Sequence, residues 1–306
     1  MKNLDFAALC GIALLGTVVT LSSCSEEVMD SENQTVYAPV SVQVSDFSMS
    51  VNEFPNPSGT RAPESPASYA NVKALTLAFY ASDGTEMYSA TQLKSDNTTF
   101  TTFGQFSCEL PVGSYTLVVV GRDVTDGDEF TLTSATVAAY TTEWPRETFA
   151  GTQSVTVTNA NPLNLSITLN RINTMLIIRS TDPLPMGVDK LRTTYSAGCK
   201  GFNPSTGLAT NTSGFSVTNN LSSAPVGQTV GVANNAFLGT DEQTMNITLE
   251  ALDAEGNVLC TKLVEGVPLK RNRQTTLRGH VFTPSTASQA AFTLETGWIE
   301  GNTVSF

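Results

Sequence analysis

The sequence predicts an all-β protein made of two tandem β-sandwiches that follow an export signal. From Leu163 to Asn170, leucine or isoleucine alternates strictly with asparagine, serine or threonine, which is the period of a half-buried strand. Tyr115 to Val120 is a short run dominated by apolar residues, typical of a strand that is buried on both faces. No window of about 11 residues has a convincing amphipathic helical pattern, so helices are not expected to form the core.

The N-terminus has the features of an export signal that is removed at Cys24. Lys2 is followed by an uncharged, largely apolar stretch from Phe6 to Leu21. This stretch is shorter than the roughly 20 residues that a comfortable membrane-spanning helix needs. Leu21-Ser22-Ser23-Cys24 resembles the bacterial lipobox, in which the peptide is cut before the cysteine and the thiol is acylated. We therefore predict a lipoprotein signal peptide over residues 1–23 and lipidation of Cys24; the alternative is an ordinary secretory signal in which Cys24 is incidental.

Composition excludes some classes of partner. The 306-residue chain has a formal net charge of −12, and only 14% of its residues are charged. Nucleic acid is not an expected partner, because phosphate contacts need clustered Lys and Arg. With Cys10 in the signal and Cys24 lipidated, Cys108, Cys199 and Cys260 remain. An odd number cannot all pair, which excludes a disulfide framework but leaves open a Cys199–Cys260 bridge or three free thiols.

Turn residues and changes of periodicity divide the mature chain into segments. An acidic tether covers residues 24–35, an N-terminal sandwich 36–171 and a C-terminal sandwich 172–306. We place the boundary at Arg171, where strict alternation gives way to Met175–Ile178, a run expected to be buried on both faces. The first strand, Ala38 to Val51, leads into a loop rich in proline that includes Arg61.

Further strands are predicted from alternation and turn signals. They are Ala67–Ala81, a strand around Met87 after the Asp83-Gly84 turn, Phe130–Ala138, a hairpin of Met245–Ala251 and Val258–Val264 around the Asp253–Asn257 turn, Arg273–Thr283, Ala291–Thr296 and Thr303–Phe306.

Residues that could carry chemistry are sparse, so we predict neither an enzyme nor a cofactor or metal site. His280 is the single histidine, whereas zinc sites of the usual type need several His or Cys residues at short spacing. The acidic segment Asp123 to Glu129 is either a calcium-binding loop or a solvated connection between strands. Tyr140, Trp144 and Trp298 are either a platform for stacking sugars or the edges of a hydrophobic core.

Arg61 stands out by position. It is the first basic residue after Lys2, and its proline- and glycine-containing loop is the kind of segment where proteolysis concentrates. A cut after Arg61 would release the tether together with the first strand, so Arg61 is a candidate protease cleavage site.

Several segments together resemble the fimbrillin and fimbrial anchor proteins of Bacteroidetes. They are the lipobox, Gly-Thr-Arg-Ala at 59–62, LPVGSY at 110–115, ITLNRINTMLIIRSTDPLP at 167–185 and VPLKRNRQTTLRGHVF at 267–282. The resemblance implies two transthyretin-like β-sandwich domains and a role as a subunit of surface pili. Stalk subunits of that family are exported as lipoproteins and then cut by an Arg-specific protease after the first strand.

In that family the lost strand leaves a groove that the C-terminal segment of the next subunit fills, whereas anchor subunits keep the lipid and the first strand. By this resemblance Cys24 matches the lipidated cysteine, Arg61 the cleavage position, Ala38–Val51 the removable strand and Ala290–Phe306 the donor segment. We therefore expect a structural subunit of a fimbria at the outer membrane, of stalk or anchor type, with other fimbrial subunits as partners. The alternative is a monomeric surface lipoprotein that binds glycans or host ligands.

Overall fold

The protein was analysed as a computed structural model that describes residues 35–48, 65–96, 98–124, 130–141, 144–283 and 293–296. Every regular element in these ranges is a β-strand. No helix in the described part of the chain is long and apolar enough to cross a membrane. The predicted signal peptide, Cys24, Arg61, Trp298 and the strand Thr303–Phe306 lie outside the described residues.

The described ranges contain eighteen strands. They are β1 Tyr37–Ser48, β2 Ala74–Ala81, β3 Glu86–Leu93, β4 Gln105–Pro111, β5 Gly113–Arg122, β6 Phe130–Ser134, β7 Val137–Tyr140, β8 Thr148–Val157, β9 Leu163–Arg171, β10 Thr174–Ser180, β11 Lys190–Tyr195, β12 Gly201–Phe202, β13 Phe215–Asn220, β14 Gly231–Ala236, β15 Glu242–Leu252, β16 Val258–Lys270, β17 Gln274–Gly279 and β18 Thr293–Thr296.

The first nine strands, except β6 and β7, build the first sandwich. They are hydrogen-bonded in the order β3-β2-β5-β8-β9-β1-β4. β8 and β9 pair only at Phe149 with Arg171 and at Ala150 with Asn170, so the chain of strands bends there into two layers. Buried side chains from both layers form one core, including Val42, Val44, Leu75, Leu77, Phe79, Leu117, Val119 and Leu169.

The second sandwich is formed by one sheet of order β14-β10-β17-β18 and another of order β13-β11-β15-β16. Its core includes Leu176, Ile178, Leu191, Val217, Met245, Ile247, Leu249 and Leu277. In both sandwiches the first strand lies parallel to the last long one: β1 pairs with β9, and β10 pairs with β17. The two halves thus share an arrangement, as the sequence resemblance implies, and the chain is all-β as predicted.

Residues 130–141 and 144–147 contact both sandwiches: Tyr80 donates a hydrogen bond to the Leu132 carbonyl oxygen, while Trp144 packs against the second core. β6 and β7 form a hairpin, and β7 pairs with β12 through Ala138 and Ala139. A third buried cluster joins Tyr80 and Val118 of the first half to Phe202 and Phe237 of the second. Each large core therefore draws its buried residues from one side of Arg171, while the third cluster draws from both. The boundary at Arg171 stays a prediction.

Three strand predictions need correction. The predicted strand Phe130–Ala138 is the β6–β7 hairpin, turned between Ser134 and Val137. In Met175–Ile178 only Leu176 and Ile178 are fully buried, because β10 belongs to a two-layer sandwich and only one of its faces meets the opposite layer. The predicted strand Ala67–Ala81 begins later than expected, because β2 starts at Ala74. Residues 66–68 form a turn in which the Ser68 N–H donates to the Ser65 carbonyl oxygen.

The cysteine alternatives are resolved in favour of thiols. Cys108, Cys199 and Cys260 are all free. The Cys199 thiol is buried and donates to the Gly201 carbonyl oxygen at 2.9 Å, which gives this buried polar group a partner.

Candidate strand-exchange site

β1 lies in the middle of its layer and is hydrogen-bonded on both sides. It runs antiparallel to β4, from Tyr37 opposite Pro111 to Gln43 opposite Gln105. On its other side it runs parallel to β9, from Val40 beside Leu163 to Ser48 beside Asn170. Because both edges are paired, removal of β1 would leave two rows of unpaired backbone groups facing a vacant slot.

One row of β1 side chains enters the first core. These side chains are Ala38, Val40, Val42, Val44 and Phe47, and each is at most 2% exposed. The alternation skips from 44 to 47 because the register with β9 shifts between Val44 and Asp46. This β-bulge gives the strand one extra residue and keeps the next large side chain directed inward.

The burial of this row makes an empty slot costly. Burying a valine or phenylalanine side chain contributes roughly 1.5–3 kcal/mol, so the three valines and Phe47 together contribute roughly 6–12 kcal/mol. Phe47 also contacts two aromatic rings, with centroid distances of 5.6 Å to Tyr69 and 4.9 Å to Phe149. A stretch of chain that replaces β1 must therefore present a comparable apolar row.

β4 depends on β1 for its place in the sheet. Among the described residues, β1 is the only strand to which β4 is paired. The β4 side chains Phe106 and Leu110 are buried in the first core, and β4 continues into β5 through Val112. Loss of β1 would thus release β4 from the ladder as well.

A buried ion pair closes the sandwich at the end where β1 finishes. Arg171 Nη2 lies 2.5 Å from Glu147 Oε1, and both side chains are at most 10% exposed. The Tyr69 hydroxyl donates to Glu147 Oε1 at 2.6 Å, and Asn71 Nδ2 donates to Oε2 at 3.0 Å. Burial raises the pKa of Tyr69 above its ordinary value, so this hydroxyl keeps its proton.

The same end of β1 borders a cleft of about 510 Å³ between the two sandwiches. Ser48, the last residue of β1, lines this cleft together with Lys270 and Arg271. Both cations are paired, Lys270 with Glu242 and Arg271 with Asp241. β1 therefore ends at the cleft.

The predicted donor segment, Ala290–Phe306, is described only over β18. β18 pairs antiparallel with β17, from Thr275 opposite Thr296 to Arg278 opposite Thr293. In this chain those four residues extend the sheet of the second sandwich.

The other candidate residues are dispersed. Tyr140 is 2% exposed and donates or accepts a hydrogen bond at 2.9 Å with the Thr148 hydroxyl, so its ring is a core residue and not a sugar platform. Trp144 is half-buried, with the Arg146 guanidinium 4.7 Å from its ring centroid. His280 is exposed. Asp123 forms an ion pair with Lys73 at 2.8 Å, and residues 125–129 lie outside the described ranges.

In the part of the chain that the structure describes, no three His, Cys, Asp or Glu side chains come together as a metal-binding group. Sequence reasoning missed the set formed by Tyr69, Glu147 and Arg171. One signal was available: Arg171 occupies the next inward position after Ile167 and Leu169, where an arginine needs a buried partner.

A family model matches residues 38–296, from the second residue of β1 to the last residue of β18. It is described as a family of unknown function, DUF6562. The chain belongs to this family. The match to DUF6562 spans both sandwiches and includes the whole candidate site from Ala38 onwards. No curated protein matches the chain.

Solved structures similar to this DUF6562 protein come from Bacteroidetes. The fimbrial anchor protein Mfa2 from Porphyromonas gingivalis is 11% identical, with a TM-score of 0.49, and the match covers 88% of this chain and 99% of that one. A candidate polysaccharide-binding protein from Bacteroides thetaiotaomicron is 13% identical, with a TM-score of 0.49 and coverages of 85% and 95%. A candidate adhesin from Bacteroides ovatus is 9% identical, with a TM-score of 0.48 and coverages of 81% and 88%. Identities and scores at this level do not transfer a function.

Proposed function

We propose that this protein is a structural, non-enzymatic subunit of a cell-surface fimbria, exported as a lipoprotein and assembled by β-strand addition. Its membrane attachment is the lipid on Cys24, and its partners are other fimbrial subunits. Cleavage at Arg61 would prepare it as a stalk subunit, whereas an uncut chain would serve as an anchor. The sequence resemblance to fimbrillins and fimbrial anchors motivates the proposal.

The observation that carries the proposal is the position of β1. This strand is central in its layer, buried along its inward row, and continuous at Ser48 with the segment that contains Arg61. A cut at Arg61 leaves β1 attached only by hydrogen bonds and side-chain burial, both of which a second strand can replace.

The first test is cleavage at a single site. Protein that lacks residues 1–23 and carries Cys24→Ser is treated with an Arg-specific protease and followed by intact mass and by size. We expect one cut at Arg61 and growth of stable multimers. The Arg61→Ala variant is the control and should remain intact and monomeric under the same conditions.

The second test asks whether the slot exchanges strands. A fluorescent peptide of residues 36–48 is added in excess to the cut protein, and its uptake is measured by anisotropy. We expect uptake by cut protein and not by the Arg61→Ala control. A peptide with Val42→Asp should not bind, because it would bury a charge, whereas a peptide with Gln43→Asp should bind.

Each part of the proposal has an outcome that contradicts it. A cut at Arg61 with neither multimers nor peptide uptake would exclude strand exchange and favour the monomeric glycan-binding alternative. Membrane retention of the full-length Cys24→Ser variant would exclude lipid attachment at Cys24. Resistance at Arg61 combined with capping of another subunit's polymer would assign the anchor role.

A further inference from the structure

The end of the first sandwich at which β1 begins carries an exposed apolar cluster. Val36 is 49% exposed, Tyr37 52% and Val112 46%. The three residues are adjacent, because the Val112 N–H donates to the Val36 carbonyl oxygen at 2.8 Å and Tyr37 lies opposite Pro111. Large apolar side chains gathered at one exposed end of a domain indicate a contact surface.

This end, which we call the tether pole, is formed by residues 35–37, 82–85, 111–113 and 157–163. The strand pairings place them together: Ala81 lies opposite Tyr115, and Val157 lies opposite Gly113. Asp83 is the only charged residue in these four ranges. Because these ranges contain no Lys or Arg, the tether pole would bind a partner through its apolar and aromatic groups and not through attraction to phosphate.

The tether pole is also where the N-terminal segment joins the fold. The 12 residues from Cys24 to Thr35 span at most about 35 Å at roughly 3.3 Å per residue. A lipid on Cys24 would therefore keep the tether pole within about 35 Å of the bilayer. Tethering of this kind raises the effective concentration of the tether pole at the membrane surface, which allows a weak contact to form.

We infer that the tether pole rests on the lipid bilayer, with Val36, Tyr37 and Val112 in the interfacial region. Tyrosine suits this position, since its ring is apolar and its hydroxyl is polar. The inference rests on the lipidation of Cys24 in the proposed function, and it concerns the chain that keeps β1.

The opposite end of the chain provides a matched control. β10 begins beside the junction at Thr174 and ends at Ser180, so the loops beyond it lie at the far end of the second sandwich. Met186 and Val226 are more exposed than the cluster residues, at 87% and 61%. Their loops are held together by the Gly227 N–H, which donates to the Leu184 carbonyl oxygen at 2.9 Å. This end should face away from the membrane.

The test places a tryptophan at each end of the full-length lipidated protein. Val112→Trp and Met186→Trp are reconstituted into phosphatidylcholine vesicles with and without bromine on the acyl chains, and the parent protein gives the background of Trp144 and Trp298. We expect bromine to quench the tryptophan at position 112 and to leave the one at position 186 unchanged. Replacing part of the phosphatidylcholine with phosphatidylglycerol should not alter the quenching at 112.

Flotation of the vesicles distinguishes failure of the membrane contact at the tether pole from failure of lipid attachment at Cys24. Protein that floats with the vesicles but shows no quenching at 112 would overturn the contact while lipid attachment stands. Protein that does not float would overturn both. If the fluorescence of the tryptophan at position 112 changes with protein concentration and not with bromine, a second copy covers the tether pole and the membrane contact is wrong. If quenching at 112 increases strongly with phosphatidylglycerol, the contact is not the apolar one that we infer.

Discussion

Asp182 accepts hydrogen bonds from residues 281–283, which follow β17, and replacing it with asparagine should destabilise the second sandwich. The side chain belongs to a residue that is 4% exposed, and its two oxygens accept four hydrogen bonds. Oδ1 accepts from Val281 N–H at 2.8 Å, while Oδ2 accepts from Phe282 N–H at 2.8 Å and from the Thr283 N–H and hydroxyl at 2.7 and 2.9 Å. These residues lie between β17 and the C-terminal segment.

The expected loss of stability depends on which of the four hydrogen bonds an asparagine amide can still accept. In Asp182→Asn the amide oxygen would be retained at the position that accepts three bonds, so the NH₂ group would face the Val281 N–H. One buried donor is then unsatisfied, which costs about 1–3 kcal/mol, and the remaining bonds lose their charged acceptor. We expect a total loss of about 2–4 kcal/mol in the free energy of unfolding of the second sandwich.

The effect should also depend on pH. Burial raises the pKa of Asp182, but the four hydrogen bonds outweigh it and hold the pKa below its ordinary value. A carboxyl with a lowered folded-state pKa contributes stability above its unfolded pKa of about 3.9, and this contribution is lost as the pH falls through the folded-state value. The difference between wild type and Asp182→Asn should therefore shrink on acidification below about pH 4.

Urea unfolding and hydrogen exchange of the amides of residues 281–283 measure these effects. Asp241→Asn is the control, since its pair with Arg271 is largely exposed and should contribute at most about 1 kcal/mol. If Asp182→Asn costs no more than the control, or if the amides of residues 281–283 exchange no faster, the argument from the buried carboxylate is wrong.

Three further predictions concern Glu147, Trp144 and Cys108. Glu147→Ala should cost about 3–5 kcal/mol in urea unfolding, because it leaves the Arg171 guanidinium without its carboxylate; a loss under about 1 kcal/mol would contradict this. Trp144→Ala should lower the stability of the second sandwich by about 1–3 kcal/mol, measured by thermal unfolding, and no change would show that the Trp144 side chain contributes nothing there. Partial burial raises the pKa of the Cys108 thiol to about 11, so peptide mapping after iodoacetamide treatment should find Cys108 largely unmodified near neutral pH in the folded protein; rapid modification there would contradict the raised pKa.

Strands whose pattern reflects burial on one face could be predicted from the sequence. β9 and β15 are examples, since Ile167 and Leu169 in the first and Met245 to Ala251 in the second alternate as the structure places them. β8 was not predicted. Its first residues, Thr148 to Ala150, are all buried and its middle residues are half-buried, so period-two burial is confined to the short stretch from Ser154 to Val157.

The pairing of strands and the path of the 130–147 segment could not be predicted for a different reason. Local periodicity shows which face of a strand is apolar but not which distant strand lies beside it. The contact of β7 with β12 depends on Ala138 and Ala139 approaching Gly201 and Phe202, which are about 60 residues away along the chain. The pairing of β1 with β4 and β9 likewise joins strands that are distant along the chain, so the sequence predicted β1 as a strand but not its neighbours.

If β1 is exchanged as proposed, the position of β4 favours displacement by an incoming strand over release followed by refilling. If β1 left first, β4 would lose its only described ladder partner, and the layer would be reduced to β9. Phe106, Leu110 and the inner face of the first core would then be exposed. This exposure would add to the loss of the roughly 6–12 kcal/mol that the inward row of β1 contributes. An incoming strand that pairs progressively from one end of β1 avoids this intermediate, because each residue of β1 is replaced as it leaves. Displacement predicts that release of the cut β1 fragment accelerates with the concentration of the 36–48 peptide, whereas release followed by refilling predicts a rate that does not depend on it.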